Sequence, residues 1–330
     1  MDEVAGAAGP FSRILSEHKS LRSRRRTADD RLIEIRSRFE SSAAPFNRSH
    51  CTVFCAGSLG RGDVGEKSDL DVFLLSDESH HALSRLDELE MLAHVIGVNR
   101  ELGSGPLSND GEFLKVHSIQ QMLQSLGAPK DDSENLFTVR MLLILESRCV
   151  CNDEIYESAI DSVIDHYFRD SRGKRSFRPL FLLNDLLRFW RTLCLNYELI
   201  RDDPEKPWRK KNINLKFSRM MTVFGTVLPM MAEPVKTAAQ VKSLVRLSPL
   251  QRLAFGLDEL QDESLQPEFE AFLDDYERFL VWKEKLGTQE LPDEELSMSS
   301  RKAARRVSNF LYRALSHPGI DQEQQKYLIL

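Results

Sequence analysis

A glycine-rich turn between two short apolar segments constrains the fold of this chain more than any other feature. The first segment, Cys51–Ala56, is apolar and contains β-branched residues, which is typical of a buried strand. The second segment, Leu70–Leu75, predicts another buried strand. Glycine allows tight turns and close backbone approach, and the linking stretch from Gly57 to Gly65 is rich in it. The pattern therefore predicts a small sheet whose first two strands are joined through this turn.

Two acidic residues stand at the start of the second strand. Asp69 and Asp71 are two positions apart, so both side chains are expected on the same face of the strand. Two neighbouring carboxylates repel each other unless a cation lies between them. Mg²⁺ prefers such oxygen ligands and shares its remaining coordination positions with phosphates. The pair predicts a Mg²⁺ site, with Mn²⁺ as an alternative ion.

The residues before this pair have the character of a phosphate-binding turn. Gly57 and Ser58 follow a strand, where backbone N–H groups and a hydroxyl are available to phosphate oxygens. Arg61 and Lys67 add two cations to the same loop, although Arg61 can alternatively pair with Asp63. A Gly-Ser pair followed by an Asp-x-Asp pair that opens a strand is a much stronger signal than either pair alone.

The stretch GSLGRGDVGEKSDLDVFLL resembles the nucleotidyltransferase superfamily that includes DNA polymerase β and kanamycin nucleotidyltransferase. Its GRGD and SDLD flanks are most similar to the PII uridylyltransferase branch and its uncharacterised relatives. The downstream blocks SNDGEFLKVH, NDLLRFW and LKFSR also resemble those relatives. The resemblance is specific over about residues 51–118 and looser to about residue 225.

This resemblance implies an enzyme that transfers a nucleoside monophosphate from a nucleoside triphosphate (NTP), such as ATP, to an acceptor hydroxyl and releases pyrophosphate. It also implies a third metal-binding carboxylate on a neighbouring strand. We assign that role to Glu112, with Asp110 as the alternative. The catalytic and metal-binding set is then Asp69, Asp71 and Glu112.

The resemblance favours a protein side chain as the acceptor, while an RNA end, a small molecule or a second nucleotide remain open. A different reading is a nucleotide-binding regulator, or a toxin–antitoxin partner, that keeps the fold without catalysis.

Helical periodicity dominates outside this region, so the predicted class is α+β. We expect an N-terminal helical extension at 1–45, a small nucleotidyltransferase domain with a short mixed sheet at 46–130, and an all-α domain at 131–330. The extension is read as one arginine-rich helix over 11–41, with Leu15, Leu21, Ile33 and Phe39 as its apolar stripe. A third strand is expected at 112–117. The chain beyond residue 119 is expected to be almost wholly helical.

Charge is distributed unevenly along the chain. The net charge is −6, which argues against broad DNA binding, yet residues 172–219 hold 13 Lys or Arg against 5 Asp or Glu. A mostly apolar helix over 178–199 carries Arg188 and Arg191 on one polar stripe with Asp185. This stripe predicts either a wall that binds the triphosphate or acceptor, which Lys211, Lys216 and Arg219 can extend, or a buried ion-pair network.

The remaining composition is that of a globular protein. No apolar run approaches the roughly 18 residues needed to span a bilayer, and the first ten residues lack the order of a secretory signal. We therefore expect a cytoplasmic protein without membrane partners. The five cysteines form no metal-binding spacing and are expected to be reduced.

Overall fold

The computed structural model describes residues 9–40, 44–65, 68–79, 82–103, 114–174, 177–203, 208–232, 237–286, 293–320 and 322–326. The chain divides into two compact units. The α/β unit is Arg24–Asp170, and the helical unit combines Met1–Ser23 with Ser171–Leu330. These limits differ from the predicted domains, because residues 24–45 and 131–170 group with the sheet.

The α/β unit combines a small mixed sheet with helices. Its elements are most of α2 (Lys19–Glu40), α3 (Ala44–Arg48), β1 (Cys51–Cys55), α4 (Gly57–Arg61), β2 (Val72–Ser76), α5 (Arg85–Glu101), β3 (Val116–Ser118), α6 (Ile119–Gln124), α7 (Pro129–Ser133), α8 (Leu136–Glu146), β4 (Arg148–Cys151) and α9 (Asp153–Tyr167).

The sheet has the strand order β3-β2-β1-β4. β1 is antiparallel to β2 and to β4, whereas β2 and β3 are parallel. The mixed α and β content and the short mixed sheet confirm the predicted α+β class. A parallel pair needs a crossover, and α5 lies within the connection from β2 to β3.

Strand alternation gives the sheet two different buried faces. Leu70, Val72 and Leu74 pack into one apolar cluster with Ile35 and Phe39 of α2. On the alternate positions, the rings of Phe54 and Phe73 stack with centroids 5.3 Å apart. Both faces of the central strands are therefore covered, which explains why their sequences are almost wholly apolar.

Three local predictions were wrong. The expected single helix over 11–41 is two helices, α1 (Pro10–Glu17) and α2, separated at His18, whose backbone is extended. Ile33 is 66% exposed, whereas Leu21 and Phe39 of the predicted stripe are buried together with Ala28, Leu32 and Ile35. The strand β4 was not expected in the part of the chain beyond residue 119.

The helical unit contains no strand within its described residues. Its elements are α1, α10 (Leu180–Ile200), α11 (Trp208–Asn214), a π-helical turn (Leu215–Arg219), α12 (Met220–Ala232), α13 (Ala238–Val245), α14 (Pro249–Leu260), a 3₁₀ turn (Glu263–Leu265), α15 (Gln266–Leu286), α16 (Asp293–Leu315) and α17 (Gln322–Lys326).

Aromatic residues of α15 form the centre of the helical unit. Phe269, Phe272, Tyr276 and Phe279 are buried at helical spacing along one face. Phe11 of α1 packs edge-on against Phe269 at 5.6 Å. Among the described residues, no helix is both long enough and apolar enough to cross a membrane.

Candidate functional site

The connection from β1 to α4 places a glycine where its conformation is required. Gly57 has φ of +66°, a region that other residues rarely adopt. The backbone N–H of Ala56 donates to the carbonyl oxygen of Asp71 at 2.9 Å, which extends the β1–β2 pairing beyond both strands. This hydrogen bond ties the glycine turn to the segment that carries the acidic pair.

The two acidic residues alternate with a core residue, as their spacing predicted. Leu70 is buried in the apolar cluster, while Asp69 is exposed and Asp71 is half-buried. The segment before β2 therefore directs Leu70 into the core and leaves the carboxylates of Asp69 and Asp71 partly accessible.

Asp71 lies directly against Gly57. A Cβ atom added to Gly57 would be 2.2 Å from Oδ2 of Asp71, which is closer than any real contact. A larger residue here would be strained by the positive φ and would displace the Asp71 carboxylate. The predicted phosphate-binding turn and the predicted metal ligand are thus in contact.

Ser58 adds a hydroxyl beside this contact. The residue is almost buried, and its carbonyl oxygen accepts a hydrogen bond from the Asp63 N–H at 3.0 Å. Its side-chain oxygen has no hydrogen-bond partner among the residues that the structure describes. A nearly buried hydroxyl without a partner can donate to a ligand.

Arg61 pairs with Asp63, which is one of the two roles that the sequence allowed for it; the other was phosphate binding. Its guanidinium is buried and contacts Asp63 through Nε to Oδ2 at 3.0 Å and Nη2 to Oδ1 at 3.3 Å. Nη1 also donates to Oε2 of Glu146 at 2.8 Å. Two buried carboxylates therefore hold this arginine, and we leave it out of the proposed phosphate ligands.

The same contacts fix α4 against the end of α8. A Cβ at Gly60 would lie 1.8 Å from the carbonyl oxygen of Glu146, so the two backbones touch. The position of the predicted phosphate-binding turn consequently depends on α8, an element that sequence reasoning had assigned to another domain.

Arginines of α2 brace the loop between the turn and the acidic pair. Arg24 donates to the carbonyl oxygen of Val64 at 3.5 Å, and Arg31 donates to that of Ser68 at 3.0 Å. Arg25 lies beside Gly62, where φ is +77°. The sequence showed these arginines but not their target, which lies about 40 positions further along the chain.

His117 on β3 is a buried, uncharged histidine. Burial, and then the charge of Lys115, lowers the pKa of His117 to about 4. Neither ring nitrogen has a hydrogen-bond partner among the described residues. Its parallel register with Leu75 places it inside the sheet rather than at the strand ends near Asp71.

Several predicted site residues fall outside the described residues. These are Glu112 and its alternative Asp110, and Lys67. Their assignments stay predictions from the sequence.

The two arginines of the predicted polar stripe lie on α10 in the helical unit. Arg188 is 36% exposed and its Nη1 lies 3.7 Å from Oδ1 of the buried Asp185. Arg191 is exposed and has no ion-pair partner among the described residues. The stripe therefore combines one paired and one unpaired arginine.

One three-residue group in the helical unit has the composition of a metal site. Nε2 of His18 lies 3.6 Å from Asp274 Oδ1 and 3.8 Å from Glu277 Oε2. The Leu21 N–H donates to Nδ1 of His18 at 3.5 Å, so in the neutral ring Nε2 carries the proton. In this tautomer Nε2–H is directed at the carboxylates and has no lone pair for a metal, so we assign no metal site to this group.

The cysteines have no site chemistry. All five are free thiols, and four of them are buried on β1 and β4. Burial raises the pKa of Cys51 and of Cys55 to about 12, so both are protonated and unreactive at neutral pH.

In comparisons with known proteins, no family model matches the chain and no curated protein matches it.

Proposed function

We propose that the α/β unit catalyses metal-dependent transfer of a nucleoside monophosphate from an NTP to an acceptor hydroxyl, with release of pyrophosphate. The observation that carries the proposal is the contact between Gly57 and Asp71, where a side chain at position 57 would displace the carboxylate. It joins a turn suited to phosphate with a carboxylate suited to Mg²⁺.

The residues present suit a magnesium ion. Asp69 and Asp71, on either side of the buried Leu70, offer accessible carboxylate oxygens. Mg²⁺ requires few protein ligands when a triphosphate supplies the others. When bound, the ion activates the attacking hydroxyl and stabilises the charge that develops on the leaving pyrophosphate.

The protein groups around the acidic pair have distinct roles in this proposal. The Gly57 backbone and the Ser58 hydroxyl hold the β- and γ-phosphates, where the unpartnered hydroxyl supplies a donor. Glu112 is proposed as the third carboxylate, and Lys67 as a further phosphate contact. Arg188 and Arg191 are proposed to contact the triphosphate or the acceptor.

The acceptor is proposed to be a protein side chain, on the basis of the resemblance to the uridylyltransferase branch. Incubation of the protein with each α-labelled NTP, Mg²⁺ and a cell lysate tests this choice. Label on protein supports it, whereas label on RNA or on a small molecule would replace it.

The acidic pair is tested by Asp69→Asn and Asp71→Asn in the same assay. Each change removes a charge but preserves side-chain shape, so transfer should be lost while the melting temperature is maintained or rises. Near-normal turnover by either variant would exclude the proposed metal site.

A second candidate is a nucleotide-binding regulator that retains the fold without catalysis. Calorimetry separates it from the enzyme, because a regulator binds an NTP with Mg²⁺ but transfers no label to any acceptor.

A further inference from the structure

The two halves of α10 differ in how the helical unit covers them. The N-terminal half buries Leu182, Leu186 and Phe189. From Arg191 to Leu199 no residue is buried, although the segment RTLCLNYEL contains three leucines. Helices on the surface of a globular protein normally direct their leucines towards the core. The C-terminal half of α10 therefore carries apolar side chains that its own unit leaves uncovered.

Two of these leucines form an apolar patch. Leu195 is 70% exposed and Leu199 is 83% exposed. They are four positions apart, so they are neighbours on one face of the helix. A single exposed leucine needs no explanation, whereas adjacent exposed apolar side chains are typical of surfaces through which proteins associate.

The same face of α10 carries one charge of each sign. Arg191 and Glu198 are seven positions apart, which is about two helical turns, so both lie on the face that carries Leu195. Arg191 is exposed and has no ion-pair partner among the described residues. The Glu198 side chain is 58% exposed, and its contact to Arg201 at 3.3 Å uses one carboxylate oxygen. The face therefore has a cation before Leu195 and a carboxylate after it.

This charge order makes the face complementary to itself. When two identical helices cross antiparallel about a two-fold axis, a residue before the axis faces the residue that lies equally far beyond it on the other copy. With the axis beside Leu195, the two Leu195 side chains meet, and Arg191 of each copy faces Glu198 of the other. A parallel pairing would instead place like charges together. One antiparallel arrangement thus covers the exposed leucines and forms the charge pair twice.

We propose that the chain forms a two-fold symmetric homodimer in which α10 packs antiparallel on α10 of a second copy, with the axis at Leu195. The second copy is the occupant that the charge order of this face fits. Arginine has five N–H donors, so a pair with Glu198 leaves donors of Arg191 for the ligand contact proposed above. The dimer does not rest on the proposed transferase activity.

Sedimentation equilibrium of the full chain, without nucleotide or divalent ions, tests the proposal. A single helix pair buries less than the roughly 1,600 Å² of a standard interface, so we expect a dissociation constant in the micromolar range. Leu195→Glu should raise this constant by about 100-fold, because the symmetric interface loses two buried leucines. The control is Leu86→Glu, which changes a leucine of α5 that is 79% exposed and should alter the constant by less than about twofold.

Charge reversal tests the register of the two helices. Arg191→Glu or Glu198→Arg alone places like charges opposite each other at both symmetric contacts, and each should weaken the dimer by about tenfold. The two changes together restore opposite charges and should return the dissociation constant to within about threefold of the wild-type value. All three variants change exposed side chains, so their melting temperatures should stay near that of the wild type.

Cysteine cross-linking locates the axis directly. Leu195→Cys, in a chain that also carries Cys194→Ser, should form a disulfide-linked dimer when oxidised glutathione is added, because the two sulfurs meet at the axis. Leu86→Cys in the same background should stay monomeric in a denaturing gel without reductant.

A wild-type chain that is monomeric throughout the micromolar range would overturn the proposal. A dimer that Leu195→Glu leaves intact, or that Leu86→Glu weakens equally, would overturn it as well. Because no nucleotide or metal is present, a protein that fails to transfer nucleotides can still pass this test. A monomeric result leaves the proposed transferase activity standing.

Discussion

Arg61 in the α/β unit and Lys216 in the helical unit both belong to short sequence motifs, GRGD and LKFSR, yet only Arg61 is surrounded by carboxylates. Arg61 is buried between Asp63 and Glu146, which occupy its guanidinium from two sides. Lys216 is half-buried, and no described carboxylate pairs with it. The difference shows that position in a motif does not decide whether a cation is available to a ligand. The nearby carboxylates decide it.

The loss of Arg61 should have the largest effect on stability. Arg61→Ala removes the arginine that contacts the buried carboxylates of Asp63 and Glu146, which costs about 3–5 kcal/mol. Urea denaturation measures this loss. Arg61→Lys is the matched control, because it keeps the charge but not the paired donors, and an intermediate loss is expected. If Arg61→Ala keeps wild-type stability but binds NTP more weakly, Arg61 is a phosphate ligand rather than a structural ion-pair partner.

The α10 stripe provides the intermediate case. Arg188→Ala removes one partly exposed ion pair to Asp185 and should lower the free energy of unfolding by about 1 kcal/mol or less. Arg191→Ala should change it by less than about 0.5 kcal/mol, because that side chain is exposed. NTP titration of both variants tests the predicted phosphate contact. Large drops in melting temperature with unchanged NTP affinity would exclude the phosphate contact and show that the stripe is a structural ion-pair network.

Lys216→Gln should have the smallest effect on stability, and it should raise the free energy of unfolding rather than lower it. The folded state lowers the pKa of Lys216 below its ordinary value of 10.5, so the charged form disfavours folding. After allowance for solvent screening, removal of the charge should stabilise the protein by roughly a few tenths of a kcal/mol.

The pH dependence gives the sign of this effect independently. As the pH rises through the lowered folded pKa toward 10.5, the folded wild type loses its proton before the unfolded chain does. The advantage of Lys216→Gln should therefore be present at neutral pH and shrink across that window. Denaturation at several pH values measures it, and an advantage that grows with pH would contradict the account.

The sequence was informative where the signal is local. The apolar runs predicted β1 and β2, and the spacing of Asp69 and Asp71 around Leu70 predicted the alternation that the structure shows. Gly57 was predicted to lie in a tight turn, and its φ of +66° agrees with that. Each of these features depends on residues within about 20 positions of one another.

The features that sequence reasoning missed depend on distant partners or on very short elements. Glu146 is 85 positions from Arg61, and no local pattern indicates that pairing. The strand β4 has four residues between two helices, too few to show an alternation. The π-helical turn before Met220 lies inside a continuous helical pattern, so the position of Lys216 could not be read from periodicity.

The reaction type is tested most directly by the position of the label in the NTP. Wild-type protein with Mg²⁺ should move label from the α-phosphate to the acceptor and release γ-label in pyrophosphate, whereas Asp71→Asn should do neither while it remains folded. Transfer of the γ-label to the acceptor, or α-label transfer that is unaffected by Asp71→Asn, would contradict a nucleotidyl transfer centred on Asp71 and Gly57.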